Sequence, residues 1–437
     1  MDRTNKQILV DTLRSFNAEI DTIEEHEGHT LTLYEVKPSP GTRVTRIRNL
    51  KDEIAAALGA PSVRIVAPLP NGLVGIEVPN PERKTITADE IFASPEFANS
   101  DAELPLALGR TVANDTLVAD LASMPHLLVA GATGQGKSVA LNMMLLSLLK
   151  KKTPEQMKLV LIDPKQVELS AYNPLVDSYL MADTITDPEI AQNVLATLCN
   201  IMDDRYTTLN EHNVRNVQEY NAIPGVERYP YIVVVIDEYG DLVMQSGREM
   251  ERIICRLAQK SRAVGIHLIV STQRPSATIV TGNIKANFPT RIALRTTTGT
   301  DSRVIIDQTG AEKLTGRGDM LLFGGASVTR LQCAYADGKE VVSTCQQLAQ
   351  KYTPEPEPKP EQSEMAQPPK HHSAPRPPSN WYKLCNSDTL GWTMLRNLVM
   401  TIGLCLIVAV LLLIFKPGIE FYFFGALLAP LLGLFLG

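Results

Sequence analysis

The chain is poor in the features that mark several protein classes. Its six cysteines (Cys199, Cys255, Cys333, Cys345, Cys385, Cys405) are scattered, with no CxxC pair. Zinc ribbons and disulfide scaffolds need closely organised thiols, so neither is expected, and reduced thiols in a cytosolic body are. Positive charge is not in excess. The formal net charge is −6, which rules out a global basic field but leaves room for a local basic surface that holds nucleic acid. Residues 1–17 contain no long apolar run, so no signal peptide is expected. What remains is 437 residues, 44% hydrophobic and 21% charged. That composition excludes whole-chain disorder, collagen and coiled coil, and the length suits about three domains of roughly 150 residues.

The last stretch departs from this globular pattern. Leu395 to Phe415 is a run of 21 residues whose only charge is Arg396. At a rise of about 1.5 Å per residue it matches a hydrocarbon core of about 30 Å. Lys416-Pro417-Gly418 makes a turn, and Phe421 to Gly437 adds 17 uncharged, mostly apolar residues. A transmembrane helical hairpin is expected, with one span plus an interfacial tail as the alternative. Lys383, Arg396 and Lys416 flank the spans and point the long N-terminal body to the cytoplasm. Between body and spans, residues 352–380 hold PEPEPKPEQ and PPKHHSAPRPP. Repeated proline cannot build helix or central strand, so an extended, semi-rigid tether is expected.

The body, residues 1–351, divides near Glu103-Leu104-Pro105. In its first part Thr30 to Val36 alternates as a half-buried strand does. Asn49 opens a helix over LKDEIAAALG with Gly59 as its C-cap, and 63–66 and 73–78 read as strands. The second part alternates strands (126–130, 158–163, 231–237, 267–272, 291–295, 319–323) with helices, which implies an α/β fold with a parallel sheet wrapped by helices.

One loop in the second part carries chemistry. HLLVA is followed by Gly131-Ala132-Thr133-Gly134-Gln135-Gly136-Lys137-Ser138 and then by an apolar helix. This is GxxxxGK[ST] between a strand and a helix. Glycines let backbone N–H groups curl around phosphate oxygens, and the helix N-terminus adds partial positive charge. Lys137 would reach the β- and γ-phosphates, and Ser138 would ligate Mg²⁺. A second acidic site should follow. The apolar run Tyr231 to Ile236 ends in Asp237-Glu238, where Asp237 would position Mg²⁺ through its water shell and Glu238 would polarise the attacking water. The next strand ends in Gln273, placed to sense the γ-phosphate.

Taken together, MPHLLVAGATGQGKSVALN, LVLIDPKQVELSAYN, YIVVVIDEYGDLV, RLAQKSRAVGIHLIVSTQRPS and DSRVIIDQTGAEKLTGRGDML, in that order, resemble the FtsK/SpoIIIE family of DNA translocases, ring ATPases that pump double-stranded DNA. PGTRVTRIRNLKDEIAAALGAPSVRIV and VGIEVPNPERKTI resemble the family's α-domain. The resemblance covers about residues 25–345. It implies a small N-terminal α+β domain (1–105), a RecA-like P-loop motor (106–351) and assembly as a homohexamer. It also implies ATP and Mg²⁺ at Lys137, Ser138, Asp237 and Glu238, with Gln273 as sensor. Arg262 would be an arginine finger acting on a neighbouring subunit, and Arg274 and Arg303 would contact DNA. Between Ser246 and Arg330 there are 13 Lys/Arg and 6 Asp/Glu, the local positive surface that phosphate contacts need. Arg248, Arg252, Arg256 and Lys260 recur every four residues, as a DNA stripe, a subunit contact or a solvated face. Gly299 stands where many relatives carry a lysine. The proline tether follows the motor where relatives carry a winged-helix domain, and the membrane segment follows the motor rather than preceding it.

Three functions compete: a membrane-tethered DNA translocase, a secretion or conjugation coupling ATPase that moves a protein or nucleoprotein, and a membrane-anchored nucleotide-binding scaffold without motor activity. The intact Lys137, Ser138, Asp237 and Glu238 weigh against the scaffold. The α-domain resemblance favours DNA.

Overall fold

Every side chain of the six-residue strand Tyr231–Ile236 is buried, as a strand covered on both faces requires. The computed structural model describes residues 4–352 apart from 70, 71, 83 and 326, and these belong to one compact unit. The strands in chain order are β1 (Ile20–Glu27), β2 (Leu31–Pro38), β3 (Arg64–Val66), β4 (Val74–Pro79), β5 (Pro105–Thr111), β6 (Thr116–Asp120), β7 (His126–Ala130), β8 (Met157–Ile162), β9 (Tyr231–Ile236), β10 (Ile266–Thr272), β11 (Thr290–Leu294), β12 (Asp319–Phe323) and β13 (Val328–Gln332).

The first four strands form an antiparallel sheet in the order β1-β2-β4-β3. Three helices cover it: α1 (Asn5–Ser15), α2 (Val44–Asn49) and α3 (Lys51–Ala57). Leu9 and Leu13, one turn apart on α1, join Tyr34, Val36, Ile54 and Ile76 in a separate small core. The helix expected from Asn49 is α3, which opens at Lys51; a separate α2, not expected from the sequence, precedes it, and the two meet at Leu50, which caps both. Gly59 does stop α3, with φ +62° just past the cap residue Leu58, a position that favours glycine.

The remaining strands form one nine-stranded sheet, β6-β5-β13-β12-β11-β7-β10-β9-β8. The expectation of a parallel sheet holds for β8, β9, β10, β7 and β11 only. The other four strands run antiparallel. The short links 112–115 and 324–327 join β5 to β6 and β12 to β13. A tight link can return the chain only antiparallel, since parallel neighbours need a crossover of a dozen or more residues. Residues 86–104, with α4 (Ala88–Phe92) and α5 (Pro95–Ala98), pack in the core of this sheet through Ile86, Ile91, Phe97 and Leu104. The change of core therefore falls nearer residue 80 than 105.

The two faces of the sheet carry separate cores. On β7, Leu127 and Val129 face the core shared with α6 (Lys137–Lys151), while Leu128 faces α7 (Pro188–Glu211). Alternation along a strand produces this division. A short α8 (Val217–Asn221) precedes β9, and α9 (Tyr239–Lys260) follows it. Gly247 (φ 67°, ψ −150°) interrupts α9, so Arg248, Arg252, Arg256 and Lys260 share only its second half. There Arg252 pairs with Glu249 and Arg256 with Asp203, each at 2.6 Å. The helices α10 (Gly282–Asn287), α11 (Gly299–Ile306) and α12 (Gly338–Tyr352) complete the described chain. No helix among the described residues is long and apolar enough to cross a membrane. The spans expected at 395–415 and 421–437, and the proline tether, lie outside the described residues.

Candidate nucleotide site

The phosphate loop leaves the C-terminal end of β7, where Gly131 N–H donates to the Thr272 carbonyl (3.3 Å) and Ala132 N–H to that of Arg295 (2.9 Å). Three of its positions tolerate no side chain or no ordinary backbone. A Cβ at Gly131 would stand 2.6 Å from Leu294 Cβ. Gly134 and Gly136 take φ +75° and +105°, a region that disfavours residues with a Cβ. Lys137 and Ser138 then open α6.

Each chemically active side chain is held by a partner from another segment of the chain. Lys137, only 4% exposed, ion-pairs with Asp237 Oδ1 at the end of β9. The same oxygen accepts the Ser271 hydroxyl at 2.8 Å. Asp237 Oδ2 is buried without a hydrogen-bond partner. Ser138 donates to Glu168 Oε1. Glu238 is fully buried with left-handed backbone (φ 56°, ψ 60°). Its carboxylate accepts from Thr272 Oγ1 (2.8 Å), Gln273 N–H (3.2 Å) and Lys165 Nζ (3.1 Å). Gly240 leaves room for this, since a Cβ there would lie 3.3 Å from Glu238 Oε1. Gln273 reaches the phosphate loop directly, accepting from Thr133 Oγ1 at 2.8 Å.

Lys165 and Glu168 come from a loop that sequence reasoning left without a role. Asp163, at the end of β8, is fully buried. Its carboxylate accepts the backbone N–H groups of Lys165, Val167, Glu168 and Leu169 at 2.9 to 3.1 Å. The loop wraps around that charge and delivers Lys165 to Glu238 and Asp241, and Glu168 to Ser138. Burial pulls the Lys165 pKa down, but Glu238 and Asp241 outweigh it and leave the group above the ordinary lysine value. The one signal in the sequence was an acid directly after an apolar strand, the same pattern that marks Asp237.

The sequence-derived residues divide into two groups. Lys137, Ser138, Asp237, Glu238 and Gln273 converge. Arg274, exposed and 3.8 Å from Asp241, lines a cleft of about 160 Å³ beside the loop with Ala132, Gln273, Thr296 and Asp301. Arg303, exposed on α11, lies one residue pair beyond Asp301. Arg262 is not part of this group. It sits exposed just before β10, while Gln273 directly follows that strand. Seven residues of strand separate the two ends by about 20 Å, so Arg262 cannot reach the phosphate loop of its own chain. It lines a second cleft of about 520 Å³ with Lys260, Arg215, Gln259, Tyr231 and His267.

The donor set fits a nucleotide with a divalent cation. The loop glycines form a cradle that a Cβ would fill or strain, Lys137 is a buried cation at its base, and the orphaned Asp237 Oδ2 is an acceptor still to be satisfied. Fold and loop together define an α/β protein of the P-loop ATPase type. The FtsK/SpoIIIE family profile matches residues 89–277 and the FtsK alpha domain profile matches residues 2–80. The chain belongs to the FtsK/SpoIIIE family. It is 44% identical over 348 residues to a DNA translocase FtsK of Caldanaerobacter subterraneus subsp. tengcongensis, covering 79% of this chain and 49% of that one. It is also 44% identical over 341 residues to a DNA translocase FtsK of Helicobacter pylori, covering 77% and 40%. The chain thus spans half or less of the length of these curated relatives. Among solved structures, the pCW3 conjugation coupling protein TcpA, in a monomer form with ATPgS, shares the fold with a TM-score of 0.55 at 24% identity, covering 78% of this chain and 99% of that one.

Proposed function

We propose that this protein is an ATP-driven translocase of double-stranded DNA, working as a homohexameric ring with Mg²⁺ and held to the cell membrane by its C-terminal segment, with the motor in the cytoplasm. The observation that carries this reading is the convergence of Lys137, Asp237, Glu238 and Gln273 on one phosphate loop, in a chain whose relatives at 44% identity are named DNA translocases.

The residues act as follows. Lys137, here paired with Asp237, would hold phosphate oxygens, and Ser138 and the unpartnered Asp237 Oδ2 would hold the cation. When bound, Mg²⁺ neutralises charge on the phosphates and orients them. Glu238, oriented by Lys165 and Thr272, accepts a proton from the attacking water. Gln273 bridges the phosphate loop and the base, so its position changes with the state of the nucleotide. Arg262 of a neighbouring subunit stabilises the charge that develops as the bond breaks. Arg274 and Arg303 contact the DNA backbone, which carries no sequence information.

The test is the ATPase rate with and without linear duplex DNA. Strong stimulation supports the translocase. A rate indifferent to DNA but raised by a protein substrate favours the coupling or secretion ATPase. Removing everything after Lys351 tests the anchor. The truncated protein should move to the soluble fraction and keep DNA-stimulated hydrolysis, because every residue assigned a role above precedes that point.

A further inference from the structure

The turn 315–318 is nested against the phosphate loop. Gly318 N–H donates to the Gln135 carbonyl at 2.9 Å. A Cβ on Gly136 would come within 2.6 Å of Gly318 N, and one on Gly316 would meet Gln135 Oε1 at 2.5 Å. Loop and turn are too close for either to move alone. The turn has three successive left-handed residues: Gly316 (φ 78°), Arg317 (φ 53°) and Gly318 (φ 85°). Arg317 carries a Cβ, and such a conformation persists only where the surroundings over-determine it.

The restraints on the turn lead away from the motor. Thr315 donates its N–H and its hydroxyl to Asp319 Oδ2 at 2.7 and 2.8 Å, and Gln332 Nε2 holds the Arg317 carbonyl at 2.8 Å. Asp319 is 1% exposed. Its charge is met by Arg330 in a two-pronged pair, Nε to Oδ1 at 2.9 Å and Nη2 to Oδ2 at 2.6 Å. The third donor, Arg330 Nη1, reaches Glu77 Oε2. Glu77 is on β4, in the N-terminal domain, and its other oxygen takes Arg64 Nη1 from β3 at 3.0 Å. Four alternating charges, Arg64-Glu77-Arg330-Asp319, therefore run from the N-terminal sheet to the foot of the turn that shapes the phosphate loop.

We propose that Glu77, Arg330 and Asp319 are positioning residues through which the N-terminal domain sets the shape of the phosphate loop, and so the affinity of the motor for nucleotide. This rests on the reading that the loop binds nucleotide. Buried charges of this kind act as a unit, because removing one leaves its partner uncompensated in a low-dielectric interior. A merely structural rivet would change stability alone.

The experiment uses the full chain with Mg²⁺ and a fluorescent ATP analogue, alongside the ATP saturation curve and a thermal melt. Glu77→Gln keeps shape and an acceptor but removes the charge. It should raise Kd for the analogue and KM for ATP about fivefold, with kcat within about twofold. Arg330→Lys keeps the charge but loses the fork, and should raise both about tenfold. Arg64→Met removes only the outermost charge and leaves the inner three paired, so it folds even if the others do not. It should raise Kd about twofold. Glu77→Gln combined with Thr315→Val should fall short of the sum of the single effects, since both loosen one path. Folded variants with wild-type Kd and KM, whatever their melting temperature, overturn the inference. A wild-type chain that binds no analogue overturns the nucleotide-site reading itself, and this inference with it.

Discussion

In the proposed translocase the two ends of the five parallel strands carry opposite halves of one chemistry. At their C-terminal ends, β7, β9 and β10 deliver the phosphate loop, Asp237-Glu238 and Gln273, and each reactive group is tied to a neighbour. At their N-terminal ends lie Arg262 and Lys260, beside a cleft with no reactive partner of their own chain assigned to them. At the first end Lys137 and Lys165 are already engaged with carboxylates. The second end has a cation without a phosphate loop. In the proposed ring, one subunit's N-terminal edge would stack on the next subunit's C-terminal edge and bring Arg262 to a neighbour's phosphate loop, and the contact repeated around an axis would close.

The sharpest way to break this comparison is at either end separately. Lys137→Ala and Arg262→Ala should each lower hydrolysis on the order of 10³-fold. Lys137→Ala should also lose ATP binding, whereas Arg262→Ala should retain it, as an analogue titration would show. Loss of ATP binding in folded Arg262→Ala would mean that the arginine is structural.

Glu238→Gln comes next. It should bind ATP and slow hydrolysis by about 10²-fold or more, because the water loses its base. Near wild-type turnover in a single-turnover assay would remove Glu238 from that role.

How much of this was legible in the sequence depended on whether the residues signal locally. The phosphate loop has fixed spacing, and β7, β9 and β10 are apolar runs covered on both faces, so both could be read directly. β1 could not. Its sequence IDTIEEHE buries only Ile20 and Ile23 in part, and an edge strand with one face in solvent lacks an apolar signature. In the antiparallel half of the large sheet β12 was read, but β5, β6 and β13 were not: β5 begins at the Pro105 taken as a domain boundary, and β6 and β13 are five residues each with few buried side chains. Lys165 and Glu168 were missed for another reason. Their roles follow from a loop wound on the Asp163 carboxylate, and no periodicity reports that. Arg262 was legible only through resemblance, because it lies a full strand length, about 20 Å along β10, from the phosphate loop of its own chain.

Lys165→Met tests the missed half of the C-terminal end. Glu238 would lose a charged donor at 3.1 Å, and hydrolysis should fall about tenfold with ATP binding kept. Lys165→Arg should recover part of that loss. If Lys165→Met hydrolyses at the wild-type rate, the lysine is only a surface ion-pair partner.

The last effect, on stability rather than on rate, separates the two ends by pH. His126 and His267, at the N-terminal ends of β7 and β10, are held neutral. Burial pushes their pKa values down to about 3 and about 4, and for His126 the neighbouring His267 adds to this. In an unfolded chain both would titrate near 6.5. Between these values the unfolded state binds more protons. Stability is therefore complete well above pH 6.5 and is lost as pH falls toward 4, by on the order of 3 kcal/mol for the two groups together near pH 5.5. Urea midpoints at pH 7.5 and 5.5 measure this. His267→Asn should flatten the slope, and an unchanged slope would place the pH dependence elsewhere.

The claim that one catalytic unit spans two subunits is tested most directly by mixing. Arg262→Ala subunits keep an intact phosphate loop, and Lys137→Ala subunits keep an intact arginine. Each alone should be inactive on duplex DNA. Mixed in varying ratio, they should regain ATPase activity that peaks near equal proportions, because only then do the two intact halves meet most often. If mass measurement shows mixed rings and no ratio restores activity, the two ends of the strands do not belong to one shared site.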